Sequence, residues 1–171
     1  MKGLILAVLA VAALPASSGE PSGTALEEAV ARRHSGDSAG ARRVLEAAVE
    51  AGDGTAEVRA ELGSVLLDLD EPGLAERHLA WALENEPGAD TAFNLAIARY
   101  RLKNWEDAWK ACSLCLKWSG KGSRLQERAA EIGVAIAARL DERERRLQVY
   151  AEVAKWAAET EGGKAAAKEL K

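Results

Sequence analysis

The feature that most restricts what this chain can fold into is a small-residue helical pattern that returns at a near-constant spacing. Ala41 opens the segment A-R-R-V-L-E-A-A-V-E, Ala75 opens A-E-R-H-L-A-W-A-L-E and Ala108 opens A-W-K-A-C-S-L-C-L-K, at separations of 34 and then 33 residues. Four residues after each alanine stands Leu45, Leu79 or Cys112, and seven after it stands Ala48, Ala82 or Cys115. Offsets of four and seven mark one face of an α-helix. Before each of these helices the chain is punctuated by Gly36-Asp37, Glu71-Pro72-Gly73 or Lys103-Asn104, and a further helical stretch precedes the turn. A helix-turn-helix unit of this size cannot bury its apolar face alone, so neighbouring units must stack and share a continuous core.

The best copy runs from about Ala56 to Pro87 and Gly88, with Leu62-Gly63 and Leu66 in its first helix, then Ala75, Leu79, Ala82, Leu83 and the closing proline. It closely resembles the tetratricopeptide repeat (TPR). The resemblance implies an all-α fold, a TPR-type α-solenoid of antiparallel helix pairs. Copies are expected over about 22–55, 56–88 and 89–122, with a degenerate fourth over 123–160, so the repeat domain spans 19–160. In the fourth copy Leu125, Ala129, Ile132 and Ile136 recur at helical spacing, while its second helix lacks the repeat alanines and reads as a C-terminal capping helix. Residues 161–171, with Gly162-Gly163 and three lysines, read as a solvated tail.

The chain begins with Met1-Lys2, an apolar run from Leu4 to Leu14 and the small residues Ala16, Ser17 and Ser18. This is the order of parts of a secretory signal peptide, and the run is too short to span a membrane as an ordinary anchor. Residues 1–18 are therefore expected to be removed, placing the mature protein in the periplasm or outside the cell, with no stable membrane span. Residues 17–98 carry 16 acidic and 6 basic side chains, residues 99–171 carry 11 acidic and 16 basic ones. A net negative chain without a basic-aromatic stripe argues against nucleic acid. Its acidic and basic ends allow head-to-tail self-association.

No nucleophile elbow, phosphate-cradling glycine loop or paired-histidine zinc motif occurs, so the chain is not expected to be an enzyme, and no cofactor is implied. His34 and His78 have no ligand-type partner at useful helical spacing, so no metal site is expected, and Asp68, Asp70 and Glu71 form a solvated turn. The two cysteines, Cys112 and Cys115, sit where Leu79 and Ala82 stand one copy earlier. Core packing, a local disulfide and a thiol-redox or cytochrome-maturation accessory role all remain open from the residues alone. Trp105 is placed to pack the turn between helices, and Trp81, Trp109, Trp118 and Trp156 are either inter-unit packing or exposed anchors.

The TPR resemblance also implies a function: a concave surface, lined by the first helix of each unit, that binds a protein or peptide. Carrying the register across places Ala60, Glu61, Ser64 and Leu67, then Asp90, Phe93, Asn94, Ile97, Tyr100 and Arg101, and, counting the fourth unit from 123, Arg124 and Arg128 on that surface. Asn94, Arg124 and Arg128 match three places of the family's two-carboxylate clamp, which implies an acidic or C-terminal segment as partner. The clamp's other places fall on Ala60 and Ser64, which cannot supply its remaining basic and amide groups.

Overall fold

The computed structural model describes residues 22–171, so the leader expected over residues 1–18 lies outside the described residues. Among the described residues there are nine helices and no strand: α1 (Ser22–His34), α2 (Ser38–Glu50), α3 (Ala56–Asp68), α4 (Pro72–Asn85), α5 (Ala89–Arg101), α6 (Trp105–Trp118), α7 (Arg124–Ala137), α8 (Arg143–Trp156) and α9 (Glu161–Lys168). In the first three pairs the second helix begins 16 residues after the first; in the fourth it begins 19 residues after. This is a TPR-type α-solenoid.

The three tight turns share one mechanism. Asp37 N–H donates to Arg32 O, Glu71 N–H to Leu66 O and Asn104 N–H to Arg99 O, at 2.9, 2.8 and 2.9 Å. These bonds span the end of each first helix and require a left-handed residue just before the donor, the arrangement of a Schellman motif. Gly36 (φ 88°), Asp70 (φ 58°) and Lys103 (φ 62°) supply it. Only the first copy places glycine there. Helix starts are fixed by side-chain caps: Asp37 accepts from Gly40 N–H, Thr55 from Val58 N–H and Ser123 from Gln126 N–H, while Pro72 opens α4 without losing a useful donor.

The repeat alanines and their partners four residues on are the core. Ala41, Ala75, Ala108, Leu45, Leu79 and Cys112 are all fully buried. Each buried leucine contributes about 1.5–3 kcal/mol relative to exposure. Gly63 is where α3 and α4 press together, since a Cβ there would run into the Leu79 side chain. Along the array α1 neighbours α3, α3 neighbours α5 and α5 neighbours α7, whereas α2 and α4, and α4 and α6, are not neighbours. First helices therefore line the inside of the curve and second helices fan out on its outside.

Two expectations need correction at the C-terminal end. Residues 161–171 are not a solvated tail: α9 packs on α7 and α8, and Gly162, Gly163 and Ala166 are buried. A Cβ on Gly162 would meet Ala130 Cβ at 2.7 Å and backbone of α7 at 2.8 and 2.9 Å, so the glycine pair permits a helix-to-backbone approach rather than marking a loop. Thr160 caps this helix by accepting from Gly163 N–H at 3.0 Å. The capping role expected of α8 is accordingly shared with α9. The longer α7–α8 turn explains why the repeat alanines disappear, because it delivers α8 three residues late and brings it against α6 as well as α7.

Candidate functional site

A groove of about 550 Å³ runs along the inner surface, lined by residues from α1, α3, α5 and α7. Its lining follows one rule. Counting from the start of each first helix, Glu57, Asp90 and Leu125 stand one residue in, Leu26, Ala60, Phe93 and Arg128 four residues in, and Glu61 and Asn94 five residues in. These offsets are one helical face. Four consecutive units therefore present equivalent positions to a common trough.

Polar groups on the floor are fixed by contacts between units. Asn94 Nδ2 donates to Ser64 Oγ at 2.8 Å, and Ser64 Oγ in turn donates to Ala60 O at 2.9 Å. This uses one of Asn94's donors and leaves its amide oxygen and second N–H without a partner among the described residues. Arg33 bridges α1 to α3, with Nε to Asp68 at 2.7 Å and Nη1 to Glu61 at 3.1 Å. Burial works against its charge, but the two carboxylates hold its pKa above the ordinary arginine value. The Arg128 guanidinium lies over the Phe93 ring, 4.6 Å from its centroid. Phe93 itself is only 3% exposed, so it is a floor rather than a free anchor.

Of the seven residues expected to bind a partner, the structure brings Phe93, Asn94 and Arg128 into the groove. Ile97 is half-buried against the core. Tyr100 turns to Trp105, edge-on at 5.2 Å, and together they pack the turn before α6. Arg101 Nη1 donates to Leu67 O at 2.6 Å, fastening α5 to the end of α3. Arg124 is exposed and outside the lining. The reason is a slip of one residue: α7 begins at Arg124, with Ser123 as its N-cap, so a count from 123 turns the helix by about 100°. The clamp of Asn94, Arg124 and Arg128 is therefore not assembled. Leu26, Val30, Arg33, Glu57, Thr91 and Leu125 also line the groove, although the register carried over from the family places none of them there. Those on α1 belong to the weakest copy, and Glu57 was recoverable from its equivalence to Asp90.

The cysteines are buried and reduced, well inside α6. Cys112 Sγ lies 3.1 Å from Ala129 O as a hydrogen-bond donor, an arrangement that needs the neutral thiol. Burial pushes the Cys112 thiol far up; burial, with the Asp90 carboxylate adding to it and Arg128 opposing, pushes Cys115 to about 12. Reactive thiols need the opposite environment, so this pair gives redox chemistry no support. Among the described residues no group of three His, Cys, Asp or Glu side chains could hold a metal. His78 is half-buried, with Nδ1 unpartnered and its pKa lowered chiefly by burial. Of the tryptophans whose place was open, Trp109 is core, while Trp81, Trp118 and Trp156 are 38%, 46% and 37% exposed on second helices. No described helix is long and apolar enough to cross a membrane.

The sequence matches no protein-family model and no curated protein. The fold is similar to a solved structure, the crystal structure of MamA, with a TM-score of 0.53 over 83% of this chain and 90% of that chain, at 15% sequence identity. Likeness at that identity is a likeness of fold, and it agrees with the TPR-type α-solenoid of helix pairs built up above.

Proposed function

We propose that this protein is a non-catalytic interaction module, an adaptor or assembly factor that holds a segment of another protein along its inner groove. The observation that carries this reading is the groove itself: four successive first helices present equivalent positions to one trough, with apolar floor and unused amide groups side by side. A peptide needs both, because its side chains gain from apolar burial while its main chain must keep hydrogen-bond partners. The leader-like residues 1–18 support placing the protein in the bacterial periplasm or cell envelope.

Affinity purification of the protein from envelope extract, compared with an Asn94→Ala/Arg128→Ala variant, tests this. The double variant is expected to retain its helicity by circular dichroism and to lose specific co-purifying proteins. An unchanged set of partners would count against the groove. Mass measurement of the isolated protein tests export: a chain beginning near residues 17–19 is expected, and an intact Met1 in the envelope fraction contradicts it.

A further inference from the structure

We infer that the segment this groove accepts is a basic-apolar one, whose lysine or arginine seats against a carboxylate rim while neighbouring aliphatic side chains lie against Leu26, Val30 and Leu125; the inference rests on the groove reading above. Beside the main groove, and sharing Glu57, Ala60 and Thr91 with it, is a smaller cleft of about 130 Å³ that adds Ala56, Glu86, Pro87 and Gly88. The rim where the two meet carries Glu57, Glu86 and Asp90, all exposed, and among the described residues no cation lines the smaller cleft.

Among the described residues none of these three carboxylates is in an ion pair, whereas several on the neighbouring helices are. Glu61 and Asp68 are tied to Arg33, Glu71 and Glu46 to Arg42, and Glu76 to Arg99. Glu57 and Asp90 stand in the first turns of α3 and α5. Among the described residues, the second cation of the groove, Arg128, is not paired with a carboxylate and lies across Phe93. An acidic ligand would thus meet three uncompensated negative charges on entry, and a basic one would be attracted by them. Further in, Leu26, Val30 and Leu125 line the same groove and offer apolar contact to the residues next to the cation.

The test uses two fluorescein-labelled eight-residue peptides, one alternating lysine with leucine and one alternating glutamate with leucine, titrated with the full chain by fluorescence anisotropy. The lysine peptide is expected to bind more tightly by tenfold or more, on the order expected when rim charges change sign. Glu57→Gln/Asp90→Asn should weaken it about fivefold, because two of the three rim charges are removed. Glu84→Gln, an exposed carboxylate on α4 away from the groove, should leave binding unchanged. Equal or tighter binding of the glutamate peptide, no binding of the lysine peptide, no effect of the double variant, or an equal effect of Glu84→Gln each overturns the inference. Thr91→Trp, which fills the groove without changing its charge, separates the two levels. If it blocks binding while the double variant does not, the groove stands and its basic partner falls; if neither variant matters, the groove reading itself falls.

Discussion

The guanidinium of Arg128 on α7 lies 4.6 Å from the centre of the Phe93 ring on α5, so the third and fourth units are joined on the inner face by a cation over an aromatic floor. Such a contact at a partly exposed site is worth about 0.5–1 kcal/mol. Arg128→Ala is expected to lower the melting temperature by about 1–4 °C for a domain of this size, and Arg128→Lys by less, because both the charge and an aliphatic stem are kept. Thermal denaturation followed at 222 nm reads both. An alanine variant that melts with the native protein would show that the contact does not hold the units together.

Gly162 tests whether α9 belongs to the folded domain. A Cβ there would press on Ala130 and the α7 backbone, which cannot move aside like a side chain. Overpacking of this kind costs about 1–3 kcal/mol. Gly162→Ala should therefore reduce the urea midpoint and speed amide exchange across α9. Gly73→Ala meets nothing within 4 Å and should do neither. Equal behaviour of the two variants would mean that α9 is detached in solution.

Lys103 and Asp70 occupy equivalent left-handed positions, yet they are not equivalent chemically. The left-handed conformation costs an ordinary L-residue about 1–2 kcal/mol, whereas aspartate tolerates it through local hydrogen bonding. Glycine removes that strain but returns about 0.5–1 kcal/mol through its freer unfolded chain. Lys103→Gly is thus expected to stabilise by about 0.5–1 kcal/mol by the same balance. Asp70→Gly should give no gain, since it also loses the 3.5 Å ion pair with Arg101. Urea denaturation of both variants checks the difference, and a larger gain at Asp70 would contradict it.

The thiols give a pH prediction with a definite sign. Burial raises the folded pKa of Cys115 from 9.0 to about 12, so the folded state holds its proton more tightly than the unfolded chain. The resulting stability is complete below pH 9.0 and is lost as pH rises toward about 12. The urea midpoint should fall over that interval, and Cys115→Ala should flatten its decline. At pH 8 the native protein should react with a thiol reagent only as fast as it opens. Rapid labelling of native protein would reverse the assignment of these residues to the core.

Much of this architecture is legible in the residues because burial and helical period act together. Ala41, Ala75 and Ala108 are small where helices cross, and Leu45, Leu79 and Cys112 follow on the same face, so period and fold class are visible. Phase is harder. The α4–α5 connection has three residues and the α6–α7 connection five, and nothing local in Gly120-Lys121-Gly122-Ser123 says which serine or glycine ends the loop. That single residue decides whether Arg124 faces the groove. Gly162-Gly163 misleads for a related reason: glycine permits both a loop and a close approach, and only the tertiary partner, Ala130, distinguishes them. The first unit's share of the groove, Leu26, Val30 and Arg33, is hidden because that copy lacks the Leu-Gly pair by which the family is recognised.

Whether a protein segment lies in the trough formed by α1, α3, α5 and α7 can be read by placing a photo-crosslinking side chain at Thr91, in the groove, and at Arg77, on the outer surface, and irradiating cells that express each form. A discrete crosslinked partner is expected from Thr91, disappearing in the Asn94→Ala/Arg128→Ala background, and none of the same product from Arg77. The same partner captured from Arg77 but not from Thr91 would contradict that placement.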